Sequence, residues 1–377
     1  MTRLRRGAAT LMVLAVAAQV GLSACDSSKK PTATKVVVPP VGFAVTPGTG
    51  NSGVPVSTEI GTQVTNGRVT GVALVDAAGR QIAGELRADG SAWVPSSTLQ
   101  YNAAYTAKIT AVGKDDKPVT HESTFTTMAK PGGAAVTSEL ILRNGATYGV
   151  GMPIVVEFGS DVPPESRAAV QQRLFVKSDP PQPGAWHWFS GRQVMYRPEK
   201  YWQPGTKITA RKALDGVKIG DRYADEDASA TVTIGRKLTI DIDNATKQLS
   251  VYVNDALVKT AAVSLGKPST PTSSGTTVIM SREAYTVFRT PEYVAPVQFA
   301  MRLTWGGQYI HAAPWSVGDQ GRRNVSHGCT NVSTDNGRWL YEQTLVGDPV
   351  TTRNTEVGLD AGDGWTVWDM PWEQYKS

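Results

Sequence analysis

The sequence is short of cysteine, histidine, net charge and long apolar runs, and each shortage excludes something. Only two cysteines and four histidines occur in 377 residues, so any chemistry that depends on them has few addresses. The formal charge of +5 includes Arg3, Arg5 and Arg6; the remainder carries 35 basic and 33 acidic residues. A near-neutral surface gives no support to nucleic-acid binding. Beyond the N-terminal segment no apolar run is long enough for a transmembrane helix.

Against this background one stretch concentrates the scarce residues. Tyr309-Ile310-His311-Ala312-Ala313-Pro314 leads through a polar loop, Trp315 to Val325, to Ser326-His327-Gly328-Cys329-Thr330-Asn331. A thiolate is a strong nucleophile, and a Cys forms it near neutral pH when a neighbouring imidazole or helix N-terminus lowers its pKa. His311 precedes Cys329 by a gap that two adjacent strands can close. Gly328 removes a side chain where backbone must approach a substrate carbonyl, and the amides around Gly328 and Cys329 suit an oxyanion hole. Ser326 and Asn331 are placed to fix the turn. A zinc site at His311, His327 and Cys329 is the competing reading, weakened by the short spacing of the last two and the want of a fourth ligand. His327 is the alternative base, in poor position to reach a sulfur two residues away along a turn.

His311 with Ser326 to Asn331 resembles the motif of the L,D-transpeptidases of peptidoglycan, in particular the lipid-anchored, multi-domain mycobacterial type; Ala313-Pro314-Trp315-Ser316 and Asn324-Val325 are also similar to that type. The resemblance runs from about residue 42 to the end. It implies that Cys329 attacks a tetrapeptide stem with loss of D-Ala, that a second diaminopimelate amine resolves the thioester into a 3→3 cross-link, and that His311 carries the proton. It further implies that the Ala312 carbonyl orients His311, that His327 and Gly328 give oxyanion and local support, that Tyr293 lines the substrate tunnel, and that Gly306 and Gly307 border the acceptor path. Carbapenems are expected to acylate Cys329, and no metal or organic cofactor is required. Close relatives often have Ser or Gly where Ala312 stands, but Ala keeps the carbonyl. Serine penicillin-binding enzymes need Ser-x-x-Lys on a helix and a Lys-Ser/Thr-Gly. Ser264-Leu-Gly-Lys267 matches the first pattern at a strand end, and the second does not occur.

Taken from its start, residues 1–24 read as a lipoprotein signal peptide. Arginines precede the apolar run Ala8 to Val20, and Leu22-Ser23-Ala24-Cys25 is similar to a lipobox. Cys25 is then the lipidated residue, tying the exported protein to the outer face of the plasma membrane, and Cys329 has no disulfide partner. Residues 25–41, rich in Pro, Ser, Thr and Lys, read as a tether.

The remainder is expected to be mostly β. Short strand-like runs broken by turns fill 42–130 and 131–235, and Lys108-Ile109-Thr110-Ala111 recurs as Lys207-Ile208-Thr209-Ala210. Two diverged β-sandwiches follow, immunoglobulin-like by the resemblance. Residues 236–354 form the catalytic β-domain, with Ser281 to Gly307 as a long lid loop, and 355–377 a Trp-rich strap packed over it. Trp186, His187, Trp188 and Tyr196 read as core or an interdomain contact in preference to a sugar platform. Asp221, Asp225, Glu226 and Asp227 read as a solvated acidic loop in preference to a Ca²⁺ site. Carboxypeptidase action, attachment of a protein to the wall by the same thioester, or a non-catalytic wall-binding lipoprotein remain the alternative functions.

Overall fold

A computed structural model of the chain describes residues 39–87, 89–289 and 294–377. The signal segment, Cys25, most of the tether and Tyr293 lie outside the described residues. Among the described residues no helix is long and apolar enough to cross a membrane.

The first sandwich shows why alternation produces sheets. In Ala104–Gly113 every second side chain, from Tyr105 through Ala107, Ile109 and Ala111, is buried, as a strand with one face on a core requires. This strand pairs antiparallel with Gly67–Asp76 and Pro118–Thr127 in a five-stranded sheet. A four-stranded sheet containing Ile60–Thr65 and Ala92–Pro95 faces it, and Ile60 and Trp93 meet Leu74, Ile109 and Phe125 in one core. The second sandwich repeats the plan. Lys207–Ala213 pairs with its closing strand Asp227–Ile234 as Ala104–Gly113 pairs with Pro118–Thr127. The two Lys-Ile-Thr-Ala segments therefore occupy equivalent places.

The joint between the sandwiches is closed by polar contacts. Glu59 pairs with Arg87 at 2.5 Å and with Arg173. Tyr101 donates to Asp215 at 2.6 Å, and Asp227 accepts from Thr98 at 2.7 Å while pairing with Arg211 at 2.5 Å. Asp227 and Glu226, the latter bonded to Lys212, are thus engaged in ion pairs instead of lying free in a solvated loop.

The third unit holds a six-stranded sheet that includes Leu238–Asp243, Gln248–Val253, Ser273–Val278 and Pro349–Arg353, and a four-stranded sheet of Ser281–Arg289, Val294–Arg302, Tyr309–Ala312 and Thr330–Val332. Ile240, Leu249 and Val350 from the first meet Met301, Ile310 and Val332 from the second in one hydrophobic core. The helix Thr334–Gln343, capped at 3.3 Å by Ser333, sets Leu340 into that core.

Two expectations need correction. Ser281 to Gly307 is mainly a β-hairpin instead of a long loop. Pro296 obscures it in the sequence; Pro is tolerated because the third strand pairs only from Gln298 onward, leaving that edge without a ladder partner. The free half of the hairpin projects as an arm. The Trp-rich strap, in turn, packs chiefly into the second sandwich. Tyr375 is fully buried and donates to the Met195 carbonyl at 2.8 Å. The Arg197 guanidinium lies over Trp368, Trp372 and Tyr375 at 4.7, 5.1 and 4.3 Å. His187 Nδ1 lies 2.9 Å from the Tyr375 carbonyl. The aromatic cluster around His187 is thus an interdomain contact, and Trp365 joins it to Val278 and Met280 of the third unit.

Asp348 sits where the second sandwich meets the third unit, fully buried, with its Oδ1 taking no hydrogen bond among the described residues. Burial pushes its carboxyl up to about 7, against the pull of the Leu345 N–H, Arg236 and Arg282. A carboxyl that holds its proton more tightly folded than unfolded gives stability that is complete below about pH 4 and is lost as pH rises through about 7. The denaturant midpoint should therefore be higher at pH 5 than at pH 8, by an effect on the order of 3 kcal/mol, and Asp348→Asn should remove most of the difference. An unchanged pH dependence in Asp348→Asn would refute this assignment.

Candidate active site

Tyr309–Ala312 and Thr330–Val332 run side by side in parallel, with Ile310 opposite Thr330 and His311 opposite Asn331. Cys329, one residue before its strand, falls beside Tyr309. Because side chains alternate, His311 and Cys329 emerge on one face, and both line a cavity of about 290 Å³ with Ser326, His327 and Asn331. The projecting hairpin arm covers this face, contributing Phe288, Ala295 and Val297. Phe288 stands edge-on to the His311 ring at 5.4 Å, and the exposed Trp315 lies 6.1 Å from it on another side.

His311 has a defined tautomer. Its Nδ1 is 2.9 Å from the Ala312 carbonyl, and a carbonyl only accepts, so Nδ1 carries the hydrogen. Nε2 is left with its lone pair. Burial lowers the pKa of the ring, with the Ala312 carbonyl pulling the other way. His327 differs. It is exposed, and the Lys267 ammonium donates to its Nε2 at 3.1 Å, occupying the lone pair a base would need.

Cys329 is a free, buried thiol. Its Sγ lies 3.6 Å from the Gly307 carbonyl and donates to it. Burial pushes the thiol up to about 11, opposed by the Tyr309 backbone. The resting site is therefore a thiol and a neutral imidazole lining one cavity, and not the depressed-pKa thiolate that the sequence expects; burial disfavours both charged forms.

The turn is held by its own side chains. Ser326 Oγ donates to the Cys329 carbonyl at 2.6 Å and accepts from the Gly328 N–H at 3.2 Å. Asn331 reaches the hydroxyl of Ser316 at 3.1 Å, which donates in turn to the Ala313 carbonyl at 3.1 Å, tying the loop to both strands. Gly328 is needed for its φ of +116°, since an added Cβ would meet nothing closer than 3.9 Å. Gly306 approaches the C-terminal strap, donating to Asp363 at 2.6 Å; its neighbour Gly307 contacts the thiol. Among the described residues no three-ligand cluster of His, Cys, Asp or Glu forms, and His311, His327 and Cys329 do not converge as one.

Several residues around the site escape sequence reasoning. Ser264 is buried inside a strand-end connection, donating to the Arg323 carbonyl at 2.8 Å and accepting from Val325. Asn324 accepts from the Leu265 N–H at 3.1 Å, and Thr272 donates to the Gly328 carbonyl at 2.9 Å. All three act on backbone groups distant in sequence. The nearest signal is the run of Ser, Thr and Pro from Pro268 to Ser274 facing the motif.

Comparison with known proteins gives two family matches: a bacterial Ig domain over residues 51–218 and an L,D-transpeptidase catalytic domain over 237–351. L,D-transpeptidase 2 of Mycobacterium tuberculosis is 34% identical over 400 residues, covering 100% of this chain and 96% of that protein. L,D-transpeptidase 5 of Mycobacterium tuberculosis is 31% identical over 338 residues, covering 86% and 72%. A solved L,D-transpeptidase in complex with imipenem is 30% identical, with a TM-score of 0.49 over 58% of this chain and 99% of that one.

A thiol with no preformed charge partner titrates at high pH. Alkylation of Cys329 by iodoacetamide should climb about tenfold per pH unit from pH 6 to 9 without levelling. A plateau near pH 7, read by intact-protein mass spectrometry, would instead reveal a thiolate already formed.

Proposed function

The chain belongs to the L,D-transpeptidase family of peptidoglycan cysteine acyltransferases, and from this we propose that it forms 3→3 cross-links between meso-diaminopimelate residues through a thioester on Cys329. The observation that carries the reading is a cavity lined by both a free buried thiol and an imidazole whose Nδ1 is tied to a carbonyl. Nδ1 held in this way leaves Nε2 as the group that takes the thiol proton.

In this mechanism the Cys329 sulfur bonds to the carbonyl between diaminopimelate and D-Ala as its proton passes to His311 Nε2. The tetrahedral oxyanion is met by backbone N–H groups of the turn, chiefly that of Cys329, while the Gly328 N–H is held by Ser326 and gives local support. The C–N bond then breaks, His311 returns the proton to the leaving D-Ala amine, and a thioester remains. The amine of a second diaminopimelate attacks it, losing a proton to His311 as the sulfur departs and the thiol is restored. With the resting thiol neutral, proton transfer accompanies attack, so the base matters in the acylation step itself. Ala312 orients His311 through its carbonyl; Ser326 and Asn331 shape the turn. Gly306 and Gly307 border the acceptor side, where Gly307 must release its contact with the sulfur as the acyl group arrives. Tyr293, outside the described residues, is the remaining substrate contact.

Cys25 as lipid anchor would place this chemistry on the outer face of the plasma membrane, facing the wall, with the two sandwiches as spacer. Carbapenems, whose strained amide presents the same kind of carbonyl, should acylate Cys329. Incubated with a disaccharide-tetrapeptide, the protein should gain an adduct lacking D-Ala and release a dimer formed with loss of one D-Ala; Cys329→Ala should give neither. His311→Ala should slow acylation by at least about a hundredfold. Monomer lacking D-Ala as the sole product would make the protein a carboxypeptidase, and an unmodified wild type would leave a wall-binding module.

A further inference from the structure

Thr272 is 3% exposed, and its hydroxyl joins two backbone groups: it accepts from the Gly266 N–H at 2.9 Å and donates to the Gly328 carbonyl at 2.9 Å. A hydroxyl has a single proton. Accepting from Gly266 therefore directs that proton to Gly328. The start of the turn is held by the same loop, with the Ser326 carbonyl accepting from the Lys267 N–H at 2.9 Å and from the Thr270 hydroxyl at 3.2 Å. Gly266 has no room to shift, since a Cβ there would lie 2.1 Å from the Thr270 carbonyl oxygen. The short loop from Pro268 to Thr272 thus forms a fixed bed beneath the catalytic turn.

In a planar trans peptide the carbonyl of one residue and the N–H of the next point to opposite sides. The Gly328 carbonyl points to Thr272, which is buried and does not line the cavity. The Cys329 N–H, on the other end of that peptide, points the opposite way, away from Thr272. Gly328 has the widest torsional freedom in the turn, so this peptide plane would rotate easily without a tether. An oxyanion donor that rotates gives little, because its effect depends on being aimed before charge develops.

We propose that Thr272 is a positioning residue for acyl transfer: by pinning the Gly328 carbonyl it aims the Cys329 N–H at the oxyanion. It touches neither substrate nor sulfur. The proposal rests on the reading of Cys329 as the acylated nucleophile.

The test separates acylation, which develops an oxyanion, from alkylation, which does not. Second-order rates with imipenem and with iodoacetamide at pH 9 are measured by intact-protein mass spectrometry for the wild type, Thr272→Val and Thr272→Ser. The valine variant should react with imipenem about ten- to a hundredfold more slowly while its alkylation stays within about twofold, and the serine variant should recover to within about threefold of wild type. Should the valine variant fail to fold, Thr272→Ala is scored by the same two rates. Undiminished acylation, a parallel fall in alkylation, or a serine variant as slow as valine would overturn the proposal and leave the function of Cys329 standing. A wild type that is alkylated yet acylated by neither imipenem nor a tetrapeptide would overturn the premise, and the proposal with it.

Discussion

Everything at the site depends on one parallel strand pair. Tyr309–Ala312 and Thr330–Val332 share a register that sets His311 against Asn331 and brings Cys329 to the same face. Parallel strands need a crossover connection, and here it is the loop after Ala313, fastened by Ser316, Gln320 and Asn331. A slip of one residue would send every side chain on one strand to the opposite face, separating thiol from imidazole. The helix Thr334–Gln343 guards against this: Gly337 approaches the Ala312 backbone so closely that an added Cβ would lie 3.2 Å from the Ala312 nitrogen.

The site favours burial over charge. An imidazolium–thiolate pair would attract, but both partners here are buried beneath Phe288 and the hairpin arm, and burial disfavours each charged form. Desolvation then dominates, and the pair rests neutral. A buried, neutral thiol of this kind reacts slowly with oxidants.

How much of this the sequence discloses follows from which groups interact. The motif is legible because its chemistry resides in side chains of scarce types, and the sandwiches because alternation is a side-chain pattern. Thr272, Ser264 and Asn324 are not legible, since their partners are backbone carbonyls and N–H groups that any residue would supply. The hairpin at Ser281 to Arg302 was hidden by Pro296, whose tolerance depends on where a neighbouring strand stops. The destination of the strap was ambiguous for a related reason: tryptophans announce a buried contact without naming the surface, and here Arg197 and His187 of the second sandwich complete it.

The strap also spans two units of the fold. One part of it, Asp363, holds the N–H of Gly306, whose neighbour Gly307 contacts the Cys329 thiol, while Trp368 donates to the Gly151 carbonyl at 2.7 Å and Tyr375 is embedded in the second sandwich. The route between these anchors is covalent chain. The second sandwich and the Gly306–Gly307 segment beside Cys329 are thus joined through one short stretch of chain fastened at both ends.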